Sequence, residues 1–353
     1  MDIFEFKQKQ LTEVAKHRER LRKTPRLRWL FFELTNRCNL RCLHCGSACT
    51  GQGQSLTLAD VEKALRSVRS EQPMICLTGG EPLLHPDFFT IAGLIRSMGL
   101  YWGMTTNATL IDETAAKRLK EVGMSTVSVS LDGLEPSHDA LRQKKGAWRL
   151  ALRGLKCLMR EGFEPQVTTV VHRDNIGELD ALYRLLCETG IKNWRLINVE
   201  PIGRACESSE LLLTPAAFAF LLSYIREKRF APDCPMEVTF GCSHYLGVET
   251  ERMVRDHYFL CGAGILVASI RSNGDICACL DVENRSELVQ GNIRRDDILE
   301  IWHNGFQSFR RDRTADCAKC LACPDRFLCG GDSAHTWDYE NRRPLLCLRD
   351  LPL

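Results

Sequence analysis

The chain has 353 residues with a formal net charge of +2 at pH 7; 44% of its residues are hydrophobic and 26% are charged. This is globular composition, with enough apolar material for one large core and a smaller module. The near-neutral charge gives no general attraction to nucleic acid or acidic lipid, and we expect neither partner.

The 18 cysteines are the unusual part of the composition. The chain starts MDIFEFKQKQ, which lacks the apolar stretch of a signal peptide, and no apolar run reaches the roughly 18 to 20 residues that span a bilayer. We therefore expect a cytoplasmic protein, in which abundant cysteine indicates metal or redox sites rather than disulfides.

Residues 1–28 are rich in Lys and Arg and are predicted to form a basic helical segment. From 29 to about 230, apolar runs of strand character alternate with amphipathic stretches of helix character. The strands are predicted at 29–34, 74–78, 100–105, 126–131, 166–171 and 194–199, and the helices at 57–70, 87–98, 112–121, 147–161, 176–188 and 215–228. Six βα units indicate a parallel sheet, either a partial barrel or a doubly wound sheet.

Three cysteines follow the first predicted strand at C-x3-C-x2-C spacing: Cys38, Cys42 and Cys45. Three thiolates on a [4Fe–4S] cube leave one iron without a protein ligand, and an open metal position is where chemistry can occur. The alternatives are three reduced thiols on a loop, or a zinc site completed by Cys49 or His44.

This loop resembles the cluster loop of the radical S-adenosylmethionine (SAM) superfamily, whose motif is C-x3-C-x-aromatic-C, with His44 at the aromatic position. The resemblance implies that SAM chelates the open iron, and that one electron splits SAM into methionine and a 5′-deoxyadenosyl radical. It implies a partial (βα)6 TIM-like barrel over residues 29–230. A flavodoxin- or ferredoxin-type donor would supply the electron.

The motif LTGGEP at 77–82 follows the second strand. Alone it is a common turn, although two glycines allow close backbone approach and a carboxylate can accept an ammonium proton. It resembles the GGEP motif of the family, which implies that Gly79, Gly80 and Glu81 bind the amino group of SAM.

Further polar turns end the later strands, where barrel active sites lie. The resemblance implies SAM contacts at five positions: Asn107, Ser130, Asp132, Val199 and Pro201. His172 and Arg195, in or near strands five and six, are candidate catalytic residues with an equally plausible structural role.

Composition changes near residue 231, and eight cysteines lie between 261 and 347. A segment with so little apolar periodicity needs cross-links to stabilise its fold, and metal clusters are one kind of cross-link. The spacing resembles the SPASM extension of radical SAM peptide-modifying enzymes, so residues 231–353 are predicted to form a small cysteine-rich iron–sulfur domain. Six of the seven cysteines of that pattern are present: Cys261, Cys279, Cys320, Cys323, Cys329 and Cys347.

The seventh position of the pattern is Ser333. The resemblance implies one complete auxiliary [4Fe–4S] cluster on Cys320, Cys323, Cys329 and Cys347. It leaves a possible second auxiliary cluster with only Cys261 and Cys279 as clear ligands. Cys242, Cys277, Cys317 or Asp332 could complete this site; otherwise it is open or absent.

The leading functional prediction is a radical SAM oxidoreductase that modifies a peptide or protein substrate. A sulfatase (formylglycine) maturase is an alternative, but its base directly follows the G-x4-C cysteine, whereas here Leu280 intervenes before Asp281, the third candidate catalytic residue. Further alternatives are a small-molecule radical dehydrogenase, a non-catalytic iron–sulfur electron carrier and a zinc scaffold. The carrier and the scaffold have no use for the GGEP motif.

Overall fold

The structure is a computed structural model that describes residues 2–47, 49, 53–241 and 243–347. Cys242, a candidate ligand from the sequence, lies outside the described residues. Within these residues there are twelve strands: β1 Trp29–Glu33, β2 Met74–Thr78, β3 Trp102–Thr106, β4 Thr126–Ser130, β5 Gln166–Val171, β6 Asn193–Asn198, β7 Glu237–Phe240, β8 Val267–Ile270, β9 Asp275–Cys277, β10 Gly291–Asn292, β11 Trp337–Asp338 and β12 Arg343–Pro344.

Thirteen α-helices lie before, between and after these strands in the described part of the chain. They are α1 Ile3–Lys23, α2 Leu58–Val68, α3 Phe88–Ser97, α4 Glu113–Glu121, α5 Glu135–Arg142, α6 Ala147–Arg160, α7 Leu179–Thr189, α8 Pro215–Phe230, α9 Gly247–Val254, α10 Ile298–Asn304, α11 Gln307–Arg310, α12 Ala318–Leu321 and α13 Arg326–Cys329. No helix in these described ranges is both long enough and apolar enough to cross a membrane.

The strands β1 to β6 pair in sequence order and in parallel, which confirms the predicted partial barrel. The barrel is extended at both edges. The short β7 pairs with β6, and β8 pairs in parallel with β1 before β9 and β10 continue the sheet. One ten-stranded sheet therefore carries both the barrel and the start of the cysteine-rich region, across the predicted boundary at 231.

The predicted helices of the barrel are confirmed as α2, α3, α4, α6, α7 and α8, and their apolar faces cover the sheet. Helix α2 buries Val61, Ala64, Leu65 and Val68, the spacing of one helix face. It begins with a capping box in which Thr57 and Asp60 satisfy each other's backbone N–H groups. The sequence interpretation missed α5, which inserts a second helix after β4.

Helix α1 lies within the predicted basic segment 1–28, and one of its faces is buried. It buries Leu11, Ala15 and Leu21, and it packs against α9 and α13. Arg18 is 6% exposed and donates to the carbonyl of Leu328 at 2.9 Å and to that of Phe327. This basic helix therefore fastens the start of the chain to the cysteine-rich region.

Candidate functional site

The cluster loop, residues 34–47, follows β1 and carries the three motif cysteines. Cys42 is 5% exposed and packs with Leu40 and Ala147, against which Cys38 and Cys45 also lie. The backbone N–H of Leu43 donates to Leu141 O at 2.9 Å. The loop therefore packs against the end of α5 and the start of α6, the two helices that follow β4.

A buried cation lies beside this loop. Arg142 Nη1 is 3.5 Å from Cys42 Sγ, while the same guanidinium contacts Asp132 Oδ2 through Nη2 at 2.5 Å and through Nε at 2.6 Å. Burial raises the pKa of the Cys42 thiol, and Arg142 opposes that rise. Positive charge at this position favours thiolate, the form that binds iron.

Cys49 is a fourth thiol at the loop. Its hydrogen bond with Cys45 lowers the pKa of Cys45 to about 6, and its hydrogen bond with Cys38 lowers the pKa of Cys38. Within the described ranges, no three or more His, Cys, Asp or Glu side chains are arranged to hold a single metal ion. The thiolates of a [4Fe–4S] cluster bind different irons, so they need not converge on one point.

The GGEP segment packs directly on the cluster loop. Gly80 N donates to Thr35 O at 2.7 Å, and Glu81 N donates to Arg37 O at 2.9 Å. A Cβ on Gly80 would lie 2.2 Å from Arg37 O, so only glycine permits this approach. The motif therefore has a clear structural role in this chain.

Glu81 is fully buried, and its carboxylate has partners within the protein. It accepts from Thr106 Oγ1 at 2.8 Å and from the backbone N–H of Asn107 at 2.9 Å. Burial raises the pKa of Glu81 to about 7. These contacts join the GGEP turn to the turn after β3, while the contact of Glu81 with SAM stays a prediction.

Asn107, also a predicted SAM contact, connects the β3 turn to the cluster loop. Its Nδ2 donates to Asn39 Oδ1 at 2.9 Å, and Asn39 Nδ2 donates to Thr109 Oγ1 at 2.8 Å. The side chain of Asn107 therefore fixes the position of the cluster loop.

Ser130 is the last residue of β4 and Asp132 follows two residues later, where its carboxylate is committed to an ion pair. Besides Arg142, its carboxylate accepts from Val170 N at 2.9 Å. Burial acts to raise the pKa of Asp132, but Arg142 and other neighbours outweigh burial and hold it below the usual value. Asp132 therefore positions Arg142 beside Cys42.

Two imidazoles in this region each have a buried nitrogen without a hydrogen-bond partner among the described residues: His44 Nδ1 and His172 Nε2. His172 is 2% exposed, so the structure places this predicted candidate inside the protein near Asp132. Burial lowers the pKa of His44 to about 3, so its ring is neutral. Unpartnered buried nitrogens are costly, and they fit a site that receives a polar ligand.

The segment after β6 lies on the third cysteine. Val199 N donates to Val171 O at 2.9 Å, and Pro201 leads into the turn that contains Gly203. Gly203 has φ of +53°, and a Cβ there would lie 2.4 Å from Cys45 O. Val199 and Pro201 thus precede a turn that packs on the cluster loop, and their contact with SAM stays a prediction.

Asp281 also reaches this loop, although it belongs to the cysteine-rich region. A Cβ on Gly46, the residue after Cys45, would lie 3.5 Å from Asp281 Oδ1. Arg195 does not join the site. It is an exposed residue of β6 that lines a separate cavity with Gln166 and Asn193, the first residues of β5 and β6.

The sequence interpretation missed Glu33, the last residue of β1. Its carboxylate accepts from Ser47 Oγ at 2.7 Å and from both the N–H and the hydroxyl of Ser272 at 3.0 Å. Glu33 therefore joins the cluster loop to the turn after β8. The signal available in the sequence was a carboxylate, that of Glu33, at the end of an apolar strand.

The four cysteines assigned to the complete auxiliary set line one cavity of about 240 Å³. They are Cys320, Cys323, Cys329 and Cys347. Cys317 contacts Cys320, so it belongs with this set rather than with Cys261 and Cys279. Four thiols around one cavity fit a fully ligated cube.

The second pair, Cys261 and Cys279, is near Ser333. The N–H of Ala334, the next residue, donates to Cys261 Sγ at 3.3 Å. Asp332, one of the candidate completing ligands, instead accepts from His244 Nδ1 at 2.9 Å and from Tyr245 N at 3.1 Å. Both of its carboxylate oxygens are therefore engaged away from the pair.

Fold and site together define an enzyme with a partial barrel, a three-cysteine loop at the carboxyl ends of its strands, and a further set of clustered cysteines. Residues 32–186 match the radical SAM superfamily, and residues 261–324 match the SPASM iron–sulfur cluster-binding domain. The chain therefore contains a radical SAM domain and a SPASM domain, and together these domains imply [4Fe–4S] clusters and SAM binding.

Three curated relatives are similar to this chain. The AdoMet-dependent heme synthase of Methanosarcina barkeri is 29% identical over 92% of this chain and 97% of its own length. The Fe-coproporphyrin III synthase of the same organism is 37% identical over 45% of this chain and 41% of its own. The mycofactocin maturase MftC of Mycobacterium ulcerans is 28% identical over 86% of this chain and 81% of its own.

Two solved structures share the fold. Streptococcus suis SuiB bound to S-adenosylmethionine superposes with a TM-score of 0.73 at 19% identity, covering 87% of this chain and 73% of SuiB. The anSMEcpe enzyme with bound AdoMet gives a TM-score of 0.70 at 22% identity, covering 89% and 87%. At these identities the likeness concerns the fold alone.

Proposed function

We propose that this enzyme uses SAM to modify a tetrapyrrole, in place of the peptide or protein substrate predicted from the sequence. The observation that carries the proposal is the similarity to AdoMet-dependent heme synthase along almost the full length of both chains. The partial match to Fe-coproporphyrin III synthase supports the same substrate class.

The cluster is proposed to bind to Cys38, Cys42 and Cys45. When bound, the cluster and SAM supply a 5′-deoxyadenosyl radical that abstracts hydrogen from the substrate. Arg142 contributes positive charge at Cys42, and Asp132 holds Arg142 in place. Gly80 and Gly203 allow neighbouring turns to pack closely on the loop and fix its position.

We assign substrate-facing roles to Asp281 and His172. Asp281 Oδ1 lies next to the residue after Cys45, where it can accept a proton from substrate. His172 Nε2 is buried without a partner among the described residues, so a polar group of the substrate or of SAM would satisfy it. Arg195 is outside this site and has no proposed role.

We further propose that Cys320, Cys323, Cys329 and Cys347 hold a complete auxiliary cluster. Their shared cavity supports this set. A cluster held by these four thiolates would supply an electron acceptor. A flavodoxin- or ferredoxin-type protein is the proposed donor to the SAM-binding cluster.

A peptide substrate is the second candidate, and it is favoured by the relative named mycofactocin maturase MftC. Fe-coproporphyrin III, the compound in the name of another relative, is the probe that separates the two. The anaerobically reconstituted full chain should be incubated with SAM, dithionite and this porphyrin, and the mixture read by mass spectrometry.

The proposal predicts 5′-deoxyadenosine together with a porphyrin of changed mass. The Asp281→Asn variant is compared with the wild type. It should lower the conversion of the porphyrin more than it lowers SAM cleavage. Heme is tested as a second compound in a parallel reaction. Abundant 5′-deoxyadenosine with no change in either Fe-coproporphyrin III or heme would contradict a tetrapyrrole substrate.

A further inference from the structure

The incomplete cysteine pair Cys261 and Cys279 has an imidazole beside it. The side chain of His335 lies in hydrogen-bonding contact with the Cys279 thiol. His335 is two residues after Ser333, and the intervening Ala334 donates its N–H to Cys261 Sγ at 3.3 Å. The segment 333–335 therefore lies against both thiols.

The other nitrogen of His335 is held by a carboxylate. Its Nε2 is 2.7 Å from Glu200 Oε2 and 3.4 Å from Ser243 Oγ. A histidine that binds metal through one ring nitrogen usually donates its other N–H to a carboxylate or carbonyl, which fixes the tautomer. Because Nε2 faces Glu200, Nδ1 is the nitrogen left for a metal.

This carboxylate is itself fixed by further contacts. Glu200 Oε1 is 3.2 Å from His244 Nε2, and His244 Nδ1 is 2.9 Å from Asp332 Oδ2. The side chains of Glu200, His244 and Asp332 are each 7% exposed, and that of His335 is 8% exposed. These buried side chains therefore hold the imidazole of His335 in one orientation.

The other candidates within the described ranges are used elsewhere. The carboxylate of Asp332 faces His244 and Tyr245, and Cys317 contacts Cys320 of the complete set. Cys277 is buried in β9 with its thiol hydrogen-bonded to Arg271. Among the candidates that the structure describes, His335 is the remaining side chain with a ligating atom in contact with the pair.

We propose that His335 Nδ1 binds an iron of the second auxiliary cluster, as the third protein ligand beside Cys261 and Cys279. Imidazole ligation is compatible with iron–sulfur chemistry and raises the reduction potential relative to thiolate. The inference concerns the cluster alone and does not depend on whether the substrate is a tetrapyrrole or a peptide.

The test uses the full chain after anaerobic reconstitution, with iron analysis and pulsed electron paramagnetic resonance of the reduced protein. The wild type should hold about twelve irons per chain, four for each of three cubes, and one reduced cluster should show a strong nitrogen-14 coupling. His335→Ala should lose about four irons and the coupling.

His335→Cys keeps the test decisive where the alanine variant fails to fold. It should retain about twelve irons, lose the nitrogen coupling and shift the midpoint potential of that cluster downward. The matched control is His244→Gln, which removes the neighbouring imidazole of the same network and should keep the coupling.

A wild-type protein without nitrogen coupling at any reduced cluster would overturn the assignment. A coupling that persists unchanged in His335→Cys would do the same. None of these readouts uses activity, so a failed porphyrin assay leaves them interpretable.

Discussion

The buried ion pair between Asp132 and Arg142 should be one of the strongest single contributors to the stability of the site. Asp132 is fully buried and Arg142 is 8% exposed, with two nitrogen-to-oxygen contacts of 2.5 and 2.6 Å. Asp132→Ala would leave the guanidinium buried without its counter-charge. Breaking such a pair costs about 3–5 kcal/mol.

The control is the surface pair of Arg160 and Glu113, whose side chains are 67% and 77% exposed at a similar distance of 3.0 Å. Exposed pairs contribute about 0.2–1 kcal/mol, so Glu113→Ala should have a small effect. Urea unfolding under anaerobic conditions, followed by far-ultraviolet circular dichroism, measures both variants.

A double variant, Asp132→Leu with Arg142→Met, adds a second check because it removes both charges. It should recover much of the stability lost in Asp132→Ala, since burying two apolar groups leaves no unpaired charge. The reasoning is refuted if Asp132→Ala destabilises the protein no more than Glu113→Ala does.

Three further substitutions test how other parts of the chain support the site. Arg18→Ala should lower stability by about 1.5–3 kcal/mol because the carbonyls of Phe327 and Leu328 in α13 lose their charged donor. Exposed Arg20→Ala on the same helix should change stability little, and thermal unfolding measures both. Gly203→Ala should reduce the iron retained at the cluster loop, since the added Cβ would lie 2.4 Å from a loop carbonyl. The control is Gly93→Ala in α3, where a Cβ meets nothing within 4 Å, and it should be neutral or stabilising by up to about 1 kcal/mol. Equal iron contents in the two variants would contradict this. Glu81→Gln should weaken SAM binding by about 1.5–3 kcal/mol, measured by anaerobic calorimetry, and an unchanged affinity would leave the carboxylate with a purely structural role.

Local pattern was sufficient for the barrel. The six strands and six of the helices were predictable because each has its own apolar periodicity and the turns between them are polar. Helix α5 was missed, since its eight residues follow β4 closely and precede the stronger pattern of α6. This helix carries Arg142, so the cation beside Cys42 was missed with it.

The site was predictable where a motif is contiguous and not where contacts join distant residues. The three cysteines of the cluster loop lie within one short segment. Glu33 and Ser272 are 239 residues apart, and Glu200 meets His335 only after the barrel and the cysteine-rich region have packed together. Such pairs leave no pattern in the local sequence. Only Ser333, at a position where the SPASM pattern has a cysteine, indicated that the pair Cys261 and Cys279 needed another ligand.

The central claim is that the loop cysteines hold a cluster with one open iron that cleaves SAM. The most direct measurement is 5′-deoxyadenosine formed from SAM and dithionite by the anaerobically reconstituted protein, compared with a variant in which Cys38, Cys42 and Cys45 are all replaced by Ala. The wild type should produce 5′-deoxyadenosine, and the triple variant should produce none while it retains the iron of its auxiliary clusters. Equal yields from the two proteins would contradict the claim.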